Sequence, residues 1–218
     1  MKKVLITGVS YGLGQSMSKL LIDNGYFVYG ISRTKPLKEL VGNKNFVWLK
    51  ANISKLNELK ENYEKIDYLD ILINNVGIYS NSLFENESFE NIENIIDTNL
   101  KGNIYVTKLA VQKLSENSRI IFVNSIAGLN FINKESIYVA TKHGLSAFAN
   151  VLGSELKSRK IKVSSIYPGG INTPLQSKNP NKEKLLTSEF VSNQILQIIE
   201  ASSVEFKSLS FYPEIENH

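Results

Sequence analysis

A short β-branched run, Lys3 to Thr7, breaks into Gly8-Val9-Ser10-Tyr11-Gly12-Leu13-Gly14 and then into apolar residues at helical spacing through Leu20, Leu21 and Ile22. Residues three and four apart share one face of a helix, so the segment reads as strand, glycine turn, helix. Asn24-Gly25 ends the helix and Tyr26 to Ile31 reads as a second strand, which completes a β-α-β unit. The pattern then repeats. Strands are expected at Phe46 to Lys50, Leu69 to Asn74, Arg119 to Asn124 and Lys162 to Tyr167, each separated from the next by a segment able to form a helix. Two such segments are long, Phe89 to Leu114 and Ile137 to Ser158, the second with Glu155 and Lys157 on its outer surface. The cores Ile71-Leu72-Ile73 and Ile120-Ile121-Phe122-Val123 are apolar without alternation, as strands buried on both faces should be. The expectation is a Rossmann-like, doubly wound parallel sheet in a three-layer α/β/α arrangement, one domain over residues 1–218. Beyond an irregular polar stretch, Pro174 to Pro180, a last helix is expected near Glu189 to Ala201 and a final strand near Ser208 to Tyr212.

Several function classes drop out on composition. With 218 residues the chain suits one domain with a buried core. Its 42% hydrophobic and 21% charged residues are ordinary for a globular protein. The net charge of +4 carries no dense basic block, which argues against nucleic acid, and Lys157, Arg159 and Lys160 suit a helix C-terminus. The apolar run Val4-Leu5-Ile6 stops at Thr7-Gly8, too soon for a signal peptide, and no run approaches the ~18 residues of a membrane span, so a cytoplasmic protein is expected. Without cysteine, and with only His143 and His218, neither a thiolate nor a histidine metal site is expected.

Glycines 8, 12 and 14 follow a strand and open a helix, where unpaired N–H groups and the helix dipole favour a pyrophosphate. The spacing differs from G-x-G-x-x-G, and a tight turn without a ligand is the competing reading. The end of the second strand bears on this choice. An acid there would bind the adenosine ribose of NAD, whereas this chain has Ser32-Arg33-Thr34, in which arginine suits a 2′-phosphate. NADP(H) is thus expected through Arg33, with Thr34 and Ser10 as helpers, and NAD(H) is the alternative.

Thr7-Gly8-Val9-Ser10-Tyr11-Gly12-Leu13-Gly14 resembles the T-G-x-x-x-G-x-G motif of the short-chain dehydrogenase/reductase family, in its compact single-domain branch. Further motifs follow in order. Asn74-Asn75-Val76-Gly77 resembles N-N-A-G, Asn99 the mid-helix asparagine and Ser125 the active-site serine. Tyr138-Val139-Ala140-Thr141-Lys142 matches Y-x-x-x-K, and Pro168-Gly169 followed by Thr173 matches P-G-x-x-x-T, with Ile171 inside that segment. The departures are Val76 for alanine, Asn52 for an aspartate near adenine, and a short segment after Pro174. Asn52 keeps an amide for adenine and Ile53 can cover its face.

The resemblance implies hydride transfer between a nicotinamide and a carbonyl or alcohol carbon. A protein acid must then supply the proton for oxygen. Tyr138 is that acid/base; a phenol of pKa near ~10 needs a nearby cation to work as a base, and Lys142 lies one helical turn later. By resemblance Lys142 also holds the nicotinamide ribose, Ser125 hydrogen-bonds the reacting oxygen, and Asn99 supports a water-borne proton relay. His143 points away from Lys142 on a helix and is read as structural, as Phe46 and Trp48 are read as strand residues. The rival class is an NADP(H)-binding sensor or regulatory protein without significant turnover. An extended-branch epimerase would need a larger C-terminal domain, and a Rossmann-like methyltransferase leaves the Tyr/Lys pair unexplained. Substrate choice falls to the loops Ile126 to Ser136 and Pro174 to Thr187, where Leu129, Phe131 and Leu175 suggest an apolar pocket. The spare length of the two long helices suggests a homodimer or homotetramer.

Overall fold

The computed structural model describes residues 1–176, 179, 181–201 and 203–213, so Pro180 and His218 lie outside the described residues. Its strands are β1 (Lys3–Thr7), β2 (Phe27–Ser32), β3 (Phe46–Lys50), β4 (Leu69–Asn74), β5 (Leu114–Val123), β6 (Lys162–Pro168) and β7 (Ser208–Phe211). Between them run α1 (Gly12–Asp23), α2 (Lys38–Val41), α3 (Leu56–Tyr63), α4 (Phe89–Ile96), α5 (Asn103–Val111), α6 (Ser136–Glu155) and α7 (Ser188–Glu200). All seven strands form one parallel sheet in the order β3-β2-β1-β4-β5-β6-β7. The order reverses between β1 and β4, which opens a crevice at their carboxyl ends, the place where open α/β sheets bind ligands.

Alternate residues of β1 to β6 feed two separate cores. Leu5, Leu72, Ile120 and Phe122 pack with Leu59, Val106, Leu145 and Leu152 on one face. Val4, Ile6, Ile71, Ile73 and Ile121 pack with Met17, Leu21, Ile195 and Ile198 on the other. A strand covered on both faces needs apolar side chains at every position, hence the unbroken runs in β4 and β5.

Two expected boundaries are corrected. The helix expected over Phe89 to Leu114 is interrupted by a π-helical turn, Asp97–Gly102, and ends at Val111. Asn103 Nδ2 donates to the carbonyls of Thr98 (3.3 Å) and Asn99 (2.8 Å), acceptors that a regular helix reserves for backbone N–H groups. Leu114 instead begins β5, five residues before the expected Arg119, and pairs with Leu69. A register shift then lets Ser115-Glu116-Asn117-Ser118 bulge, with Asn117 at φ 65°, a left-handed conformation that asparagine tolerates. That polar stretch hid the strand.

Candidate active site

The crevice is a cavity of about 400 Å³. Every cofactor-binding residue proposed from sequence borders it: Gly8, Ser10, Tyr11, Gly12, Leu13 and Gly14 from the first turn, Arg33, Thr34, Asn52 and Ile53 after β2 and β3, Asn75, Val76 and Gly77 after β4, Tyr138 and Lys142 on α6, and Pro168, Gly169, Ile171 and Thr173 after β6. Of the catalytic candidates, Ser125, Tyr138 and Lys142 also border it, and Asn99 does not.

At the nucleotide end, Gly8 and Gly12 hold positive φ (78° and 53°). A Cβ at Gly14 would lie 2.1 Å from the Gly8 carbonyl oxygen, so no larger residue fits beneath the turn. Tyr11 precedes α1 without a side-chain cap, and the helix has no acid in its first turn. Its first N–H groups thus meet the cavity with the dipole unopposed, which suits a pyrophosphate. The two strand ends are stapled together across the switch point. Thr7 Oγ1 accepts from the N–H groups of Asn75 (2.9 Å) and Val76 (3.1 Å), and Asn75 Nδ2 donates to Thr7 O at 2.8 Å.

Beyond β2, Arg33 is exposed and makes no hydrogen bond or ion pair among the described residues, so its guanidinium is open to an anion. Ser10 Oγ donates to the Thr34 carbonyl, as does Ser32 Oγ at 2.8 Å, and Trp48 Nε1 donates to Ser32 Oγ at 3.0 Å. The loop that carries Arg33 is thereby fixed to the glycine turn. Asn52 Oδ1 accepts from Ser54 N–H (3.1 Å) and Ser54 Oγ (3.0 Å), while its Nδ2 has no partner among the described residues.

At the other end, Tyr138 and Lys142 stand on successive turns of α6, Lys142 Nζ 5.7 Å from the centre of the Tyr138 ring. Burial pushes the phenol up to about 12, opposed by a hydrogen bond with Ser125 and reinforced by the charge of Glu135 and by Tyr79. Burial also pulls the Lys142 ammonium down to about 8. Desolvation is the largest influence on the phenol, which is therefore protonated at neutral pH. Ser125 begins a short turn, accepting from Ala127 N–H at 3.2 Å. Asn124 Nδ2 anchors that turn to α6 through Ser146 Oγ (2.8 Å) and the Lys142 carbonyl (3.2 Å).

Asn99 is fully buried in the π turn, and its amide is occupied: Oδ1 accepts from Ile78 N–H (2.8 Å), and Nδ2 donates to Ile78 O (2.9 Å) and Thr141 Oγ1 (3.3 Å). It holds the loop after β4 against α6. A Cβ at Gly77 would stand in ordinary contact with Asn99 Oδ1 (3.6 Å) and Lys142 Nζ (3.4 Å), so both groups lie beside the backbone that follows β4. His143 is turned aside, its Nδ1 3.1 Å from Val139 O and its ring stacked on Phe131 at 5.2 Å. Phe131 is 90% exposed, and neither it nor Leu129 lines the cavity; the apolar contribution comes from Ile126, Ile132 and Leu175. Sequence reasoning also missed Thr7, Tyr79, Asn124 and Glu135, whose contacts here join segments far apart in the chain. Among the described residues no cluster of three or more His, Cys, Asp or Glu could hold a metal, and no helix is long and apolar enough to cross a membrane.

Residues 2–184 match the family model for short chain dehydrogenases, and the chain belongs to that family of oxidoreductases. It is 32% identical to the 3-oxoacyl-(acyl-carrier-protein) reductase FabG of Rickettsia felis over 188 residues, 84% of this chain and 78% of that protein. It is 31% identical to carbonyl reductase family member 4 of Xenopus tropicalis over 182 residues, 80% of this chain and 77% of that one. Among solved structures, the 3-ketoacyl-(acyl-carrier-protein) reductase of Brucella melitensis, complexed with NADH, superposes with a TM-score of 0.89 at 25% identity, covering 98% of this chain and 97% of its own.

Proposed function

We propose that the protein is an NADP(H)-dependent reductase of small carbonyl compounds, reversible toward the corresponding alcohols, with Tyr138 as general acid/base. The observation that carries this reading is one cavity joining an uncapped helix N-terminus to the Ser125, Tyr138 and Lys142 side chains. A nicotinamide, when bound, supplies or accepts the hydride. The glycine turn and α1 hold the pyrophosphate, Asn52 Nδ2 and Ile53 meet the adenine, and Asn75 fixes the width of the crevice. Ser125 orients the substrate oxygen. Tyr138, protonated at neutral pH, gives that oxygen its proton, and the Lys142 ammonium favours the phenolate left behind. Asn99 positions Lys142 by holding the loop beside it.

The Brucella melitensis relative carries NADH in its structure, so the preference for NADP(H) rests on this chain's own residues. Arg33 is open to an anion and the residue before it is Ser32, not an acid. Monitoring NADPH and NADH consumption against a panel of ketones and aldehydes tests the reading. Arg33→Ala is expected to weaken NADPH by about tenfold or more and to leave NADH nearly unchanged, because only the 2′-phosphate is lost as a partner. Equal losses for both cofactors would refute the assignment.

A homodimer or homotetramer is part of the same proposal. Phe89 and Ile96 on α4 and Val151 on α6 are exposed large apolar side chains. Light scattering at micromolar concentration should give a multiple of the 24.5 kDa chain, and a species of 24.5 kDa alone would overturn it.

A further inference from the structure

Glu135 precedes Tyr138 by three residues and has no part in the chemistry above. It is 8% exposed, yet it lines the cavity. Its Oε1 accepts a 2.6 Å hydrogen bond from the Tyr79 hydroxyl, and Tyr79 stands edge-on to Tyr138 with ring centres 5.1 Å apart. The surrounding loops hold it in place. Asn81 Nδ2 donates to the Tyr79 hydroxyl at 3.2 Å, and Ser82 N–H donates to Lys134 O at 2.7 Å, which ties the loop after β4 to the loop before α6.

The second oxygen, Oε2, has no partner among the described residues and is not one of the sealed unpaired atoms. Tyr79, the hydrogen-bond partner of Glu135, packs into an apolar cluster with Ala127, Ile132, Tyr138 and Val139. Among the described residues, the charged ones lining the cavity are Arg33, Lys142 and Glu135; Arg33 lies at the far, β2 end, and Glu135 makes no ion pair with any of them. Oε2 is thus an acceptor open to the cavity, where water or a donor group on a ligand can meet it.

We propose that Glu135 determines specificity at the substrate end: it selects carbonyl compounds bearing a hydroxyl or ammonium group beside the carbonyl and rejects those bearing a carboxylate. This rests on the reductase reading given above. A donor gains a charge-assisted hydrogen bond to Oε2, whereas a second carboxylate meets a like charge at close range.

Four ketones of nearly equal size test it: aminoacetone, hydroxyacetone, 2-butanone and pyruvate, each with NADPH, on the wild type and on Glu135→Gln. Glutamine keeps an acceptor for Tyr79 and removes the charge. The wild-type to variant ratio of kcat/KM cancels the intrinsic reactivity of each carbonyl. That ratio is expected to be about tenfold higher for aminoacetone than for 2-butanone, intermediate for hydroxyacetone, and below that of 2-butanone for pyruvate. Equal ratios for all four ketones would overturn the proposal.

Binding gives a readout that turnover does not limit. With saturating NADPH, 1-amino-2-propanol should raise the Tm of the wild type more than that of Glu135→Gln, and lactate should do the reverse. If no ketone is turned over while this pattern holds, the reductase reading fails and recognition by Glu135 stands. If no ketone is turned over and the Tm shifts are equal, the proposal is overturned.

Discussion

Tyr138→Phe is expected to lower kcat for ketone reduction by about 10²–10⁴-fold while the affinity for NADPH changes little, because it removes the proton donor and keeps the ring. The ring is what the fold uses: Tyr138 is 8% exposed, packs with Ala127 and Val139, and meets Tyr79 edge to face. Loss of the hydroxyl removes only its hydrogen bond with Ser125, so the melting temperature should fall by no more than a few degrees. Turnover and cofactor titration on the same preparation check both halves. Near wild-type kcat in the variant would end Tyr138's role as acid, and His143 would be tested next, although its ring is stacked on Phe131 and has no place in the cavity lining.

Lys142→Met should act in two opposite directions. Turnover should fall by about 10²-fold or more and NADPH should bind more weakly, since the ammonium is proposed to serve both the phenol and the ribose. The folded protein, however, should become more stable. Burial pulls the ammonium from 10.5 down to about 8, with only long contacts of 3.4 and 3.5 Å to the carbonyls of Val123 and Asn124 in return. Between pH 8 and 10.5 the unfolded chain therefore holds a proton that the folded protein has released, so wild-type stability rises with pH across that window. Below it the full penalty remains. Urea unfolding at pH 7 and pH 10 should show the variant more stable than the wild type at pH 7, with the gap narrowing at pH 10. A variant less stable at pH 7 would mean that Lys142 is held by interactions stronger than these two contacts.

The parts of the fold legible in the sequence are those where local pattern and long-range packing demand the same residues. β4 falls at Leu69–Asn74 as expected, because a strand buried on both faces is written as an apolar run, and the edge strand β3 falls at Phe46–Lys50 through its β-branched and aromatic residues. The π turn was not legible. It depends on Asn103 bonding back to Thr98 and Asn99, a side-chain choice that leaves the apolar spacing of α4 and α5 looking like one helix. The same division holds in the site. The spacing of Ser125, Tyr138 and Lys142 is readable along the chain, whereas the bond between Tyr79 and Glu135 joins two loops 56 residues apart. Nothing near either residue announces the other.

The stapled switch point also bears on the order in which the molecule is made. Thr7 finds its partners at Asn75 and Val76, 68 and 69 residues later, and β1 has no neighbour on that side until β4 exists. At translation speeds of roughly 5–20 residues per second, the nascent chain carries β1 as an open sheet edge for about 3–14 seconds. During that interval β1, β2 and β3 can pair with one another, so the nucleotide half of the crevice has its floor before any residue of the proton-transfer half has been synthesised.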